Sequence, residues 1–196
     1  MKPYRLAKQE FTPKSPLPFV GDHGSLFEKD TGFLQCGVQV LNWDSSATIR
    51  STKEKNDGSP RDVLVSYMNA PVFSEQLCDA ITQSISGIEY LPIQVLRSNG
   101  QSAGNFFVIN VTNKVDALHM EKSNIQRYEE DYFLEERIGS IRFVGNVVLR
   151  EERIKDLDIF RLSNYLMSIF VSEKFRRIVE DGGFTGAEFL DVDIAE

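Results

Sequence analysis

Ser74-Glu75-Gln76-Leu77 opens a stretch that runs through Ala80, Ile81 and Ile85 to Ser86-Gly87-Ile88-Glu89-Tyr90-Leu91. Ser172-Glu173-Lys174-Phe175 opens a second, running through Ile178 and Val179 to Thr185-Gly186-Ala187-Glu188-Phe189-Leu190. Serine falls on serine, glutamate on glutamate and bulky apolar residue on bulky apolar residue; after one extra residue in the second copy, Gly87 falls on Gly186 and Glu89 on Glu188. Each serine can cap free helix amides, and the glutamate after it meets the positive end of the helix dipole. Leu77, Ala80, Ile81, Ser84 and Ile85 recur at intervals of three and four, which predicts a helix with one apolar stripe. Glycine then ends each helix and a strand follows. The chain is therefore read as two copies of a helix-then-strand unit, around 72–96 and 169–194, which organise the fold but name no chemistry.

Working outward, Ile88 to Leu96 reads as a strand in which Pro92 needs an edge position or a bulge. Asn105 to Thr112 is apolar on both faces and reads as a central strand. Phe33 to Trp43 alternates and predicts the first strand, and Val63 to Tyr67 is short and apolar. Ile125 to Leu134 and Ile141 to Leu149 read as antiparallel partners separated by Glu135, Glu136, Arg137 and the turn-forming Gly139-Ser140. Asp158 to Phe170 reads as irregular or as holding a short helical turn. Gly182-Gly183 stops the second helix, and Ala187 to Ile194 closes its unit. The fold class is α+β, with a mixed, largely antiparallel sheet and few helices. Residues 1–30, rich in proline and glycine, are expected to form an extended leader that packs little. Residues 31–99 form an N-terminal lobe with a polar loop at 44–62, and 100–196 a C-terminal domain, separate from the lobe or packed with it.

With 196 residues, 41% hydrophobic and 26% charged, the chain can bury a core and matches neither a disordered nor a membrane-embedded composition. The N-terminus lacks the apolar segment of a secretory signal, so a cytoplasmic protein is expected. Cys36 and Cys78 are the only cysteines; they suit neither a disulfide scaffold nor a metal clip and are read as buried thiols. Lys plus Arg number 22 against 29 Asp plus Glu, a net charge of −7. That balance disfavours nucleic acid and anionic membranes, which need cationic surface, and suits a basic partner.

The search for chemistry is mostly negative. His23 and His119 are the only histidines, and Ser25 near His23 lies in no nucleophile elbow. No glycine-rich loop has the lysine and strand-to-helix setting of a phosphate site. Asp116, His119 and Glu121 are the densest set of metal-type ligands, yet their spacing matches no established site. The expectation is no catalytic residue, no metal and no cofactor. The best contact candidate is the acidic-aromatic run of Tyr128, Glu129, Glu130, Asp131, Tyr132, Glu135 and Glu136, with Phe133 inside it. Aromatic residues beside carboxylates can form an anchor with a charged rim, though a strand with one buried face gives the same pattern.

The C-terminal half resembles a known family. Asn105-Phe106-Phe107-Val108-Ile109-Asn110-Val111, then Val115-Asp116-Ala117-Leu118 and Glu121-Lys122-Ser123, are similar to the central signature of a family of bacterial immunity proteins against polymorphic toxins. It is the eleventh of that series, formerly catalogued as a domain of unknown function. Asp158-Ile159-Phe160-Arg161-Leu162, Ile169-Phe170-Val171-Ser172-Glu173 and Gly183-Phe184-Thr185-Gly186 resemble its C-terminal pattern. The resemblance covers about Asn105 to Leu190 and, more loosely, the unit around Ser74; neither the leader nor the tract at 44–62 shares it. It implies a non-enzymatic protein of bacterial competition that binds a cognate protein toxin and blocks it stoichiometrically. The competing readings are a metal-assisted hydrolase or toxin-modifying enzyme built on Asp116, His119 and Glu121, and a scaffold or regulatory module.

Overall fold

The structure, a computed structural model, describes residues 2–8, 21–22, 34, 36–51, 60–64 and 70–195. Both serine-led stretches form capped helices. The Ser74 hydroxyl accepts the Leu77 N–H at 3.3 Å at the start of α1 (Glu75–Thr82). The Ser172 hydroxyl accepts that of Phe175 at 3.2 Å at the start of α2 (Glu173–Asp181). Each cap satisfies one of the amides that a helix start leaves unpaired. Each hydroxyl in turn donates to an aspartate, Ser74 to Asp62 at 2.9 Å and Ser172 to Asp158 at 2.7 Å. The serine N–H groups donate to the carbonyls of the same two aspartates. The repeat thus begins upstream of the helices.

In the first unit, β4 (Val63–Leu64), β5 (Val72–Ser74), β6 (Ile88–Leu96) and β7 (Ser102–Val111) join β2 (Gly21–Asp22) and β3 (Thr48–Ser51) in a six-stranded sheet of order β2-β3-β6-β7-β5-β4. Both β5 and β6 run antiparallel to β7, which lies between them. Phe106, Val108, Ile109 and Val111 of β7 are buried, as a central strand requires. The Pro92 carbonyl points away from β7 and accepts the Trp43 indole N–H at 2.7 Å, while β3 pairs with β6 only from Gln94 onward. The missing proline N–H therefore costs no ladder bond.

The second unit repeats the plan. Strands β12 (Ile159–Leu162), β13 (Tyr165–Ser172) and β14 (Ala187–Asp191) form a five-stranded sheet with β1 (Pro3–Lys8) and β8 (Lys114–Val115), in the order β14-β1-β13-β12-β8. Beyond β14, β15 (Asp193–Ala195) pairs in parallel with β11 (Val148–Arg150). Helix α1 packs on β5 and β7, α2 on β13 and β1, and the helices touch each other. The shared core takes Phe73, Leu77, Ile81 and Ile109 from one unit and Tyr4, Val171, Phe175 and Val179 from the other. The opposite faces carry their own clusters: Val72, Leu91, Val95 and Val108 with Leu34 and Ala47 on the first sheet, and Phe160, Leu162 and Phe170 with Leu118, Val144 and Ile154 on the second.

Several sequence expectations change. The leader does not pack loosely at Pro3–Lys8: β1 is paired on both sides and Tyr4 is 2% exposed. Most of residues 9–33, including His23 and Ser25, lie outside the described residues. Of the strand expected over Phe33–Trp43, Phe33 and Gln35 lie outside the described residues, and the described ones, Leu34 and 36–43, form no strand. Leu34 and Cys36 are helical, and Gly37 turns at φ +59 with its Cα so close to β7 that a Cβ would lie 2.7 Å from the Val111 carbonyl. The side chains of Asn110 and Glu89 then hold Val38 and Val40, through Asn110 Nδ2 to the Val38 carbonyl at 2.8 Å and Val40 N–H to Glu89 at 3.1 Å. The polar tract at 44–62 contains β3, whose Ile49 is buried with neighbouring Ala47. Residues 158–170 form the β12–β13 hairpin; its pattern was obscured by Arg161, a fully buried cation in an apolar run. That guanidinium donates to the Leu166 carbonyl at 2.7 Å, and burial lowers its pKa to about 10. The closing strand is split at Val192 between two sheets. Asn99-Gly100 occupy the turn that joins β6 to β7, and the shared core draws on residues from both sides of it.

Two predictions arise here. At Gly186, φ is +97 and a Cβ would stand 2.3 Å from the Val63 carbonyl, whereas Gly100, at φ +83, faces open space. Gly186→Ala is expected to cost about 2–3 kcal/mol and Gly100→Ala about 1 kcal/mol, because only the first adds a backbone clash to the dihedral strain. Urea unfolding of the pair checks this, and equal midpoints would contradict it. Cys36 is exposed, correcting the expectation of two buried thiols, while Cys78 is buried and desolvation pushes its thiol up to about 12, with Asp79 and Glu75 adding to the shift. Alkylation at pH 8 should modify Cys36 in the native protein and Cys78 only in denaturant, since the thiolate is the nucleophile. Equal native labelling of both would refute that.

Candidate partner-binding surface

The acidic-aromatic run is a loop carried on a short hairpin. Strands β9 (Ile125–Arg127) and β10 (Ile141–Val144) pair antiparallel, and Val144, with half-buried Ile125 and Ile141, roots them in the outer cluster of the second sheet. A bulge between Ile141 and Phe143 makes Arg142 the extra residue, and its guanidinium lies 5.9 Å from the centre of the Tyr128 ring. The Tyr128 N–H donates to the Ser140 carbonyl and the Gly139 N–H to the Tyr128 carbonyl, both at 3.0 Å. Two further turns shape the tip, closed by the Tyr132 N–H to Glu129 at 3.2 Å and the Ile138 N–H to Glu135 at 3.1 Å.

The strand expected over Ile125–Leu134 ends at Arg127 and turns follow, so the strand-alternation reading of Tyr128, Tyr132 and Phe133 fails. Tyr128 and Tyr132 have ring centres 4.4 Å apart, and Tyr132 and Phe133 4.6 Å. Arg137 is also 5.9 Å from the Tyr128 ring centre, and its hydrogen bond to the Tyr128 hydroxyl raises its pKa from the ordinary value. The rings are braced from below, yet Phe133 is 78% exposed, with Phe143 at 50%. Glu129, Glu130, Asp131, Glu135 and Glu136 are all exposed, and the stretch from Glu129 to Glu136 holds no cation. The ion pairs found among the described residues lie elsewhere, at Asp191, Asp116, Glu152, Asp158, Glu173 and Glu180.

The structure brings the seven candidate residues and Phe133 onto one loop and sets beside them exposed Ile138 and Phe143, which the sequence reading left out. Strand patterning predicts half of such residues inside; only the turn chemistry around Gly139-Ser140 hinted otherwise. Asp116 and His119 are engaged elsewhere and Glu121 faces solvent: Asp116 pairs with Arg150 at 3.0 Å, and His119 Nδ1 accepts the Lys122 N–H at 3.3 Å. Among the described residues no group of three His, Cys, Asp or Glu side chains is arranged to hold a metal ion. Among them, too, no helix is long and apolar enough to cross a membrane.

Fold and surface together describe a sheet-dominated α+β protein that exposes a braced aromatic loop with an acidic rim. The sequence matches the Immunity protein family (Imm11) over residues 3–193, and the chain belongs to that family. The match reaches well beyond the stretch whose motifs carry the resemblance, taking in β1, β3 and the polar tract. No curated protein matches the chain.

Proposed function

We propose that the protein is a cytoplasmic immunity protein that binds a cognate bacterial toxin and neutralises it stoichiometrically, without a catalytic step, through the loop between β9 and β10. Family membership supports the role. The observation that supports the surface is the coincidence of Phe133, exposed beside two tilted tyrosine rings, with five exposed carboxylates, none of them held in an ion pair among the described residues. An aromatic group braced in place loses little entropy on binding, and a charged rim sets orientation and association rate. The partner face that fits is basic, with a recess for one ring. The interface needs about 1,200–2,000 Å² for a stable complex, so the loop is its centre and not its whole extent.

Co-expression with the toxin encoded beside the gene, followed by pull-down and a growth assay, tests the role; no complex and no rescue would overturn it. Charge steering adds a kinetic prediction. Raising salt from 50 to 500 mM should slow association on the order of tenfold while leaving dissociation nearly unchanged, because screening acts on the encounter. Stopped-flow or surface binding measures it, and a salt-independent association rate would remove the acidic rim from the mechanism.

A further inference from the structure

The two sheets share more than their helices. In the first, Phe107 of β7 stands between Phe73 and Pro92, and Val108 between Val72 and Leu91. In the second, Tyr4 of β1 stands between Val171 and Asp191, and Arg5 between Phe170 and Leu190. Aligned on the capping serines and on Gly87 and Gly186, every one of these positions corresponds, so β1 fills in the second sheet the slot that β7 fills in the first, in the same register. The packing corresponds as well. Phe107 meets Tyr90 edge to face at 6.4 Å and 89°, and Tyr4 meets Phe189 edge to face at 6.5 Å and 80°.

The correspondence continues outward. Strand β3 pairs in parallel with β6 through Thr48–Gln94, Ile49–Val95 and Arg50–Leu96, and β11 with β15 through Val148–Asp193, Leu149–Ile194 and Arg150–Ala195. Counted from Gly87 and Gly186, these partners fall at the same steps. Beyond them, β2 meets β3 antiparallel, as Leu118 meets Leu149 in an antiparallel bridge. In chain order both halves read alike: an inserted strand (β1 or β7), a strand that pairs in parallel at the rim (β3 or β11), the aspartate-led hairpin, the capped helix and the closing strand. Each inserted strand, however, sits in the sheet built by the other half.

We infer that the chain is two copies of one module that have exchanged their first strands, so that each half is an incomplete sheet whose partner is the leading strand of the other. The slot between β13 and β14 accepts a strand of the β1 or β7 type, antiparallel to both walls. It is made by residues near the end of the chain, although its occupant is at the beginning. Neither half can close its sheet alone, and folding must wait for the most distant pairing in the sequence, which topology makes slow. The inference stands on geometry alone and is independent of the toxin reading.

The test uses the full chain with a protease recognition sequence inserted at Gly100, an exposed position in the β6–β7 turn with open space around it. After cleavage the two pieces should elute as one species of the intact mass in native buffer, and separate only at the denaturant concentration that unfolds them. Folded fragments that part in native buffer would overturn the inference. The unmodified protein gives a second reading by hydrogen exchange. A terminal strand ordinarily frays, but the amides of β1 should be protected to within about tenfold of those in β7, both opening only with the global transition. Exchange of β1 at the rate of a frayed terminus, a hundredfold or more faster than β7, would refute it.

Discussion

Tyr4→Ala is expected to cost about 3–5 kcal/mol, the range for losing a fully buried aromatic side chain. Tyr4 is 2% exposed, four residues from the start of the chain, and touches Phe189 edge to face, while the Arg176 guanidinium lies 4.7 Å from its ring centre. Its loss leaves a cavity in the core that both helices share and loosens the strand that fills the second sheet. At about 2–4 °C per kcal/mol for a chain of this size, the melting temperature should fall by roughly 10 °C. Calorimetry or urea unfolding measures the change. A shift below about 1 kcal/mol would mean that β1 is an accessory to the second sheet and not part of its structure.

The second large effect is on binding. The triple variant Phe133→Ala, Glu135→Lys, Glu136→Lys is expected to weaken the toxin complex at least a hundredfold, combining loss of a central aromatic anchor with reversed charge at its rim. Stability should change little, within about 0.5 kcal/mol per exposed site, because these side chains bury little surface in the free protein. Phe133→Ala alone should act mainly by faster dissociation and the two lysines mainly by slower association. Unchanged affinity in the triple variant, with folding intact, would move the contact surface elsewhere. Together with Tyr4→Ala the variant is expected to separate two roles, stability lost at Tyr4 and binding lost at the loop.

Legibility in the sequence followed the range of the interactions that decide each element. The capped helices, β6 and β7 are visible because Ser74, Ser172, Gly87, Gly186 and the run Phe106–Val111 act through neighbours in sequence or by unbroken apolarity. β1 and β3 were hidden because their burial comes from distant partners: Tyr4 is covered by the second unit, and Ile49 by Val95 and its surroundings. The alternation over Phe33–Trp43 misled because the close approach of Gly37 to β7 requires a turn, and the described residues 36–43 join no sheet. The candidate loop was read with the wrong backbone. Strand alternation would have put half of Tyr128–Leu134 inside, whereas the turns at Glu129–Tyr132 and Leu134–Ile138 bring the carboxylates out and leave Phe133 uncovered. Ile138 and Phe143, which the sequence reading did not include, are apolar, and nothing in a single sequence separates an exposed apolar residue from core.

The most direct test of the proposed function is the hydrogen-exchange footprint of this protein with its proposed cognate toxin, sought among the products of neighbouring genes. The backbone amides of Tyr128–Phe143 should slow on binding, with the largest change around Tyr132–Arg137, while exchange in β5–β7 and β13 stays as in the free protein. Strong protection on another face, with Tyr128–Phe143 exchanging as before, would contradict the assignment of toxin recognition to this loop.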